Sequence, residues 1–519
     1  MSGIDQSDVI ALLERPETYG EDVESVERID THTAIVFLAS ARAYKLKRSV
    51  KFPYLDFSTV ELRRRFCEAE LRLNRRTAPS LYLDVIPVTR GKNGALALGG
   101  AGTPVDWVVV MRRFAQEDLF DRMAVEGRLS LALMQDLADQ IAVFHADAEI
   151  NRVEGGAAGL KEVIRGNDVS LRACASAFDS ADIAHLNGAA LDWLQAVGEL
   201  LDRRRDAGHV RLCHGDLHLR NICLIEGRPT LFDCVEFSRR LACIDVLYDL
   251  AFLLMDLHYR GFCEHANLVM NRYLDRTEEG DGLTALPLFL SSRAAIRAHT
   301  SAASAARQPN ASNAQSIREE ARSYLEAALR HLQFHPPMLV AIGGFSGTGK
   351  STLARSLASE LGVIPGARVL RSDVFRKRLM GVAPETRLGP NGYTDPVTAT
   401  VYERLCAEAA TVARSGFAVI ADAVFAREME RVAIADTARA AGVKFFGLWL
   451  AAPPQVLERR LYMRGRSDAS DADVTVLRRQ LAYDTGSIEW IKIDASAADT
   501  AAVLAQARAA LASSCRAAN

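Results

Sequence analysis

Gly344-Phe345-Ser346-Gly347-Thr348-Gly349-Lys350-Ser351 fits the phosphate-binding pattern G-x-x-x-x-G-K-[ST] at every position. The preceding Met338-Leu339-Val340-Ala341-Ile342 is a short apolar run suited to a buried parallel strand, and Thr352 to Ala358 follows with helical spacing. Glycines at such a turn let backbone N–H groups face phosphate oxygens, and the helix N-terminus adds the positive end of its dipole. Gly344, Ser346, Gly347, Thr348, Gly349 and Thr352 are therefore candidate nucleotide-binding residues. Lys350 is expected to reach the β- and γ-phosphates of ATP, and Ser351 to hold Mg2+.

Downstream, the strand-like Ala367-Arg368-Val369-Leu370-Arg371-Ser372-Asp373 ends in a carboxylate and leads into a helix beginning Val374-Phe375-Arg376-Lys377. In an open parallel sheet, ligands sit beyond the carboxyl ends of the strands, which puts Asp373 where a substrate hydroxyl would lie. Asp373 and Arg376, three apart on one helical face, resemble the base and substrate-binding arginine of polynucleotide kinase and of small-molecule kinases with the same D-x-x-R start. Gly416 to Ala423 is a third apolar strand, and its Asp422 resembles a Walker-B carboxylate acting on Mg2+. A fourth strand, Val443 to Leu450, precedes the helix Gln455 to Tyr462. The series Arg459, Arg460, Arg464 and Arg466 sits where nucleoside and gluconate kinases carry an arginine-bearing lid, with Arg464 the candidate nucleotide contact. Ser467 to Asp473 reads as its mobile loop, and Trp490 to Asp494 as the last strand.

Upstream, a helix over Asp8 to Leu13 precedes three candidate strands: Val23 to Ile29, Thr33 to Leu38, and Ala43 to Lys47. Period-two alternation sets Lys45 and Lys47 on one face of the third strand. A helical pattern over Thr59 to Arg76 carries Glu68 and Glu70, and strands Leu81 to Ile86 and Val105 to Met111 follow before a helical region.

Within that region lies Arg211-Leu212-Cys213-His214-Gly215-Asp216-Leu217-His218-Leu219-Arg220-Asn221-Ile222-Cys223, then Leu231-Phe232-Asp233-Cys234-Val235-Glu236. The pair H-x-D-x-x-x-x-N and apolar-D-x-x-E matches the catalytic and metal-binding loops of the protein-kinase fold. The form H-G-D-L-H-x-x-N resembles the aminoglycoside phosphotransferase and choline kinase branch over roughly the first three hundred residues. The resemblance implies that Asp216 orients or deprotonates an acceptor hydroxyl, and that Asn221 and Asp233 hold Mg2+. It also implies that Lys45, or Lys47 beside it, binds phosphate, oriented by Glu68 or Glu70. His214, Asp245 and Asp249 are expected to brace the loops, while Glu236 is open between a supporting role and a further metal ligand. The turn Asp30-Thr31-His32-Thr33 departs from the kinase pattern in lacking a glycine-rich cover.

The chain of 519 residues is too long for one core. Its parts are read as a phosphotransferase-like domain over 1–305, a linker with a helix over 306–337, and a P-loop kinase domain over 338–519, with no internal repeat. The expected fold class is a bilobal α+β protein-kinase-like domain followed by an α/β P-loop domain with a parallel sheet. A net charge of −2 argues against a broadly nucleic-acid-coating surface. Nine dispersed cysteines without a C-x-x-C pair read as reduced thiols in a cytoplasmic protein, with Cys213, Cys223, Cys234 and Cys243 as buried small side chains rather than zinc ligands. Neither a secretory leader nor a bilayer-spanning run is read.

The expectation is thus two ATP·Mg2+ sites, each transferring a phosphoryl group to a hydroxyl of a small molecule. A nucleic-acid 5′ end is the other acceptor considered for the C-terminal site. The rival reading is a regulatory protein, with the P-loop domain an ATPase switch and the N-terminal domain a ligand-binding pseudokinase. The whole-length arrangement is similar to bacterial proteins that fuse an aminoglycoside phosphotransferase-like domain to an ATP-binding domain.

Overall fold

In the computed structural model the chain forms two compact units, residues 1–160 with 201–256 and residues 161–200 with 257–519. The structure describes residues 5–52, 55–463, 470–497 and 499–516.

The first unit is built on an antiparallel sheet of β1 (Val26–Asp30), β2 (Ala34–Ala39), β3 (Arg42–Lys47), β6 (Tyr82–Arg90), β7 (Leu96–Leu98) and β8 (Thr103–Arg112), in the order β1-β2-β3-β8-β6-β7. A small hairpin of β4 (Lys51–Phe52) and β5 (Leu55–Asp56) follows β3. Alternation along the strands sends Phe37, Tyr44, Leu46, Val108 and Val110 to one face, where they pack under Val9 and Leu13 of the first helix. The opposite face of β3 carries Lys45 and Lys47 instead of apolar residues.

That second face meets the helix Val60–Asn74, whose N-terminus is capped by Thr59 accepting from the Leu62 amide at 3.2 Å. Its buried stripe is Arg63, Cys67, Glu70 and Asn74, at helical spacing. Buried polar groups need partners, and each of these has one. Arg63 is held by Asp106 at 2.7 and 3.0 Å, Asn74 Nδ2 donates to Glu70 O at 2.9 Å, and Glu70 takes the two lysines.

Two short antiparallel pairs complete the unit: β9 (Val210–Leu212) with β12 (Cys243–Asp245), and β10 (Ile222–Ile225) with β11 (Arg228–Leu231). The loop of Asp216 and Asn221 runs between β9 and β10, and Asp233 stands just after β11. The four regularly spaced cysteines are buried free thiols in these strands, Cys223 and Cys243, and in the loops that follow β9 and β11, Cys213 and Cys234.

The second unit contains a parallel sheet of β13 (Met338–Gly343), β14 (Arg368–Arg371), β15 (Val419–Asp422), β16 (Lys444–Ala451) and β17 (Ile491–Asp494), in the order β14-β15-β13-β16-β17. β13 is central, and its Val340 and Ile342 pack with Ile420, Leu448, Leu353 and Leu357 in the core. From β13 the chain crosses to β14 and β15 on one side and then to β16 and β17 on the other, so the carboxyl end of β13 opens at a topological switch point. The phosphate loop is placed at that end.

Helices of residues 257–331 belong to the same unit. The helix Ala311–His331, inside the segment read as a linker, buries Ala314, Ala321, Tyr324, Leu325 and Ala328, with Tyr324 stacked on Tyr259 at 3.8 Å. The helix Cys263–Thr277 closes the exposed edge of β14. Asn271 Oδ1 accepts from the Val369 amide at 2.7 Å, and the Asn267 and Asn271 amides donate to Ala367 O at 3.0 and 3.1 Å. Fully buried Arg368 pairs with Asp275 at 2.7 Å and Glu408 at 3.0 Å. Side chains thus satisfy an edge that would otherwise offer unpaired backbone groups. Among the described residues no helix is long and apolar enough to cross a membrane.

Candidate active sites

In the first unit, residues far apart in sequence meet over β3. Lys45 Nζ lies 2.8 Å from Glu70 Oε1 and 2.5 Å from Asp233 Oδ1. Lys47 Nζ lies 2.6 Å from Glu70 Oε2 and 2.5 Å from Glu236 Oε1, and 4.8 Å from the centre of the Phe57 ring. Glu70 is therefore the glutamate of this cluster, and both lysines share it. Glu68 is not brought to the site: it pairs with Arg64 at 2.9 Å in solvent. Two helical positions turn a side chain by about 200°, so only one of the two glutamates can face the sheet.

Burial opposes charge on every member, and the pairing decides each outcome. Glu70 would be raised by burial, but Lys45 and Lys47 together hold its carboxyl at about 2. Burial would lower both lysines; Asp233 and Glu70 outweigh it for Lys45, and Glu236 and Glu70 for Lys47, so both stay charged. Glu236 goes the other way, since burial outweighs its contact with Lys47 and raises it. Lys47 and Glu236 are shut in, whereas Asp233 is 42% exposed and open to a ligand.

The Asp233 segment is pinned at three successive amides. Asp233 N–H donates to Tyr82 Oη at 3.1 Å, Cys234 N–H to Asn74 Oδ1 at 2.9 Å, and Val235 N–H to His214 O at 2.9 Å. Asn74 lies one turn after Glu70, so a single helix face holds both the lysines and the segment of Asp233. Sequence reasoning missed Asn74, because nothing local marks an asparagine whose partner is 160 residues away.

The Asp216 loop is braced by Asp249, whose carboxylate accepts from the amides of His214 at 3.0 Å and Gly215 at 2.8 Å and contacts His145 Nε2 at 3.1 Å. Gly215 has φ 84°, and a Cβ there would press on Val235 at 3.0 Å, so the turn requires glycine. His214 is kept neutral by burial. Its Nε2 donates to Phe232 O at 2.9 Å and its Nδ1 accepts from Asp216 N–H at 3.3 Å, fixing the tautomer. Asp245 is paired with buried Arg204 at 2.8 Å. His145, Cys213 and Asp249 have metal-like spacing, but Asp249 is already engaged by two amides and Cys213 Sγ donates to Ile244 O at 3.4 Å. That trio is a structural knot.

Asp216 itself is 42% exposed, with Asn221 Nδ2 donating to its Oδ2 at 2.9 Å and His218 Nε2 at 3.4 Å. Because the Asn221 nitrogen is spent on Asp216, the amide oxygen is the atom it offers a cation. With the Asp233 carboxylate this makes an all-oxygen donor set that fits Mg2+.

In the second unit, the phosphate loop leaves β13 with Gly344, Gly347 and Gly349 at φ 138°, 86° and 90°. A Cβ on Gly344 would stand 2.5 Å from Leu450 O, and one on Gly347 2.9 Å from Leu457 O. Thr348 Oγ1 donates to Phe345 O at 2.8 Å, and Lys350 Nζ reaches the same carbonyl at 3.2 Å, folded back over the loop. Ser346 N–H donates to Gln480 Oε1 at 2.8 Å. Thr352 lies exposed in the first turn of the helix Lys350–Ala358.

Ser351 Oγ donates to Asp422 Oδ2 at 2.6 Å across 71 residues of sequence. A hydroxyl and a carboxylate converging at the end of β15 fit Mg2+ as a donor pair. Asp373 stands in the first turn of the helix Ser372–Leu379. Burial, with Asp422 adding repulsion, raises its carboxyl, while Arg371, Ser470 and Lys350 pull it down.

Arg376, the expected substrate arginine, makes its contacts within the protein. It is buried, with Nη1 donating to Gly392 O at 2.7 Å and Thr398 Oγ1 at 3.2 Å and its guanidinium over the Tyr393 ring at 4.7 Å. It secures the turn Pro390–Tyr393, because three residues along a short helix turn its long side chain inward. Arg464 and Arg466 lie outside the described residues. Arg460, beside them in sequence, donates to Ala497 O at 2.6 Å and approaches Gly347 O at 3.5 Å. Arg371 and Gln480 were missed by sequence reading; only Arg371, two residues before Asp373 at a strand end, carried a local signal.

Residues 61–285 match the family model described as "Phosphotransferase enzyme family", and residues 339–485 the one described as "AAA domain". The uncharacterized protein Rv2004c of Mycobacterium tuberculosis (strain ATCC 25618 / H37Rv) is 30% identical over 472 residues, covering 88% of this chain and 90% of that protein. The uncharacterized protein Mb2027c of Mycobacterium bovis matches to the same extent. The chain belongs to the family of these mycobacterial proteins. This chain joins a phosphotransferase domain of protein-kinase-like α+β fold to an α/β P-loop kinase domain, and the two motif sets fall in the two matched regions. Among solved structures, a choline/ethanolamine kinase family protein from Mesorhizobium loti covers 63% of this chain and 98% of its own at 14% identity and a TM-score of 0.37. A gluconokinase from Sinorhizobium meliloti 1021 covers 35% of this chain and 94% of its own at 22% identity and a TM-score of 0.24.

Proposed function

We propose that this fusion-family phosphotransferase has two sites, each moving the γ-phosphoryl group of ATP to a hydroxyl, within domains spanning about 1–305 and 338–519. One observation carries the reading: in each half a basic side chain, a metal-type donor set and a separate aspartate converge from distant sequence. Lys45 meets Asp233 across 188 residues, and Ser351 meets Asp422 across 71.

Mg2+ held with the nucleotide supplies charge neutralisation at the β- and γ-phosphates. In the N-terminal site Asn221 and Asp233 would hold it. Asp216 accepts the acceptor hydroxyl's proton, its carboxylate oriented by Asn221 and His218. Lys45, extended and charged on Glu70, is aimed at phosphate. In the C-terminal site Ser351 and Asp422 are the metal residues, Lys350 swings from Phe345 O to phosphate, and Asp373 is the base. A carboxyl raised toward neutrality is the better proton acceptor. Most of the work in such a transfer is positioning and electrostatics, which suits sites built from pinned loops.

The acceptor class we favour for both sites is a soluble small molecule, in a cytoplasmic protein with reduced cysteines. Binding stoichiometry tests the two-site reading: a non-hydrolysable ATP analogue with Mg2+ should titrate at two per chain, D233N and K350A each removing one. A single site abolished by K350A alone would leave the N-terminal half without a nucleotide and sink the reading.

A further inference from the structure

Arg371 ends β14 directly opposite Asp422 in the parallel register, so the two side chains leave the sheet toward the same face. Its Nη2 donates to Ser351 Oγ at 3.2 Å, and its Nε lies 3.5 Å from Asp422 Oδ2. Ser351 donates to that same oxygen at 2.6 Å. The hydroxyl and carboxylate suited to a divalent cation are therefore spanned by a guanidinium of the chain itself.

The choice of arginine matters. A guanidinium stays protonated at any working pH and so cannot vacate the pair by losing its charge. Its fork also matches phosphate, so arriving nucleotide offers it a second anion of the right geometry. Among the described residues the charges balance as well: Asp373 and Asp422 are two mutually repelling carboxylates, set against Arg371 and Lys350. Removing the guanidinium would leave two carboxylates and one lysine around a hydroxyl, a set that attracts a bare divalent ion.

We propose that Arg371 is a resident counter-cation, keeping divalent metal off Asp422 until nucleotide phosphates arrive, so that metal enters the C-terminal site only with the nucleotide. The inference rests on Ser351 and Asp422 being the metal pair of that site. Arg371 is on this account a positioning residue for metal entry, distinct from the base Asp373 and the phosphate-binding Lys350.

The test uses the full chain in a D233N background, which removes the N-terminal metal ligand, and follows Mn2+ binding by electron paramagnetic resonance. Without nucleotide, D233N should bind no Mn2+ at this site, and added ADP should bring it in. D233N/R371Q should bind Mn2+ without nucleotide, tighter by roughly tenfold or more, and D422N added to it should remove the gain. R371K, which keeps the charge but not the fork, should still exclude Mn2+ without nucleotide. Nucleotide-free Mn2+ binding in D233N that D422N abolishes would overturn the proposal without recourse to any Arg371 variant. So would an R371Q protein with cooperative melting and unchanged Mn2+ affinity, or a gain that survives D422N. If instead Mn2+·ADP does not bind D233N, or binds K350A equally well, the nucleotide-site reading itself fails.

Discussion

Lys45 Nζ lies 2.8 Å from Glu70 Oε1, while the other oxygen of the same carboxylate holds Lys47 at 2.6 Å. One buried glutamate thus anchors buried Lys47 and half-buried Lys45, and its removal is a sharper perturbation than loss of a surface pair. Glu70→Gln should cost on the order of 3 kcal/mol, because it leaves both lysines under-paired. Urea unfolding checks this, with Glu68→Gln as the control, whose midpoint should not move because its pair with Arg64 is in solvent. Nucleotide affinity of the N-terminal site should fall with the first substitution and not with the second.

Lys45 and Lys47 differ in what they can reach. Lys45 touches exposed Asp233, whereas Lys47 is closed in against Glu236 and Phe57. Lys45→Met should therefore abolish ATP-analogue binding at the N-terminal site with modest loss of stability. Lys47→Met should lower the unfolding midpoint more, since it strands Glu236 and half of Glu70. Paired calorimetric and unfolding measurements separate the two. The opposite ranking would assign the phosphate role to Lys47.

The edge of β14 depends on the helix Cys263–Thr277 through Asn271 and Arg368. Asn271→Ala removes the acceptor of the Val369 amide, which should then exchange its hydrogen at least about tenfold faster, as a backbone group losing a buried partner does. Arg368→Met leaves Asp275 and Glu408 facing each other and should cost on the order of 3 kcal/mol. Hydrogen exchange read at β14 is the measurement; unchanged protection would mean the edge is held by something else.

His331 is buried beside His258, with ring centres 6.1 Å apart, and burial, helped by His258 and Arg330, pushes it down to about 3. Its folded value lies below the unfolded value near 6.5, so the unfolded chain takes up the proton first. Stability from this group is complete above about pH 6.5 and is lost as pH falls toward 3, amounting to about 2 kcal/mol at pH 5. His331→Gln should flatten that part of the pH–stability curve in chemical unfolding between pH 7 and 5. A curve of unaltered slope would show that His331 is not the titrating group.

Contiguous motifs made much of this readable in sequence. The phosphate loop, H-G-D-L-H-x-x-N and the strand-terminal aspartates are local patterns whose geometry is set by the turn that carries them, and β13, β15 and the Asp216 loop fall where those patterns put them. What local pattern could not supply was the choice between near neighbours. Glu68 and Glu70 differ only in which side of the helix faces the sheet, and Lys45 and Lys47, on one face of β3, only in whether Asp233 or Glu236 stands opposite. Asn74 and Gln480 were invisible for the same reason, since their partners are distant in sequence. The contacts of Arg376 with Gly392, Thr398 and Tyr393 were equally beyond local pattern, since its spacing from Asp373 says nothing of a turn more than a dozen residues on.

The central claim is that two sites transfer phosphoryl groups, and the most direct measurement is label transfer from γ-labelled ATP to a panel of small hydroxyl compounds and oligonucleotides. The wild-type chain should yield labelled products that fall into two sets, one lost in Asp216→Asn and the other in Lys350→Ala, with none left in the double variant. Products that survive both substitutions together, or a complete absence of transfer to any acceptor while both sites bind nucleotide, would contradict it.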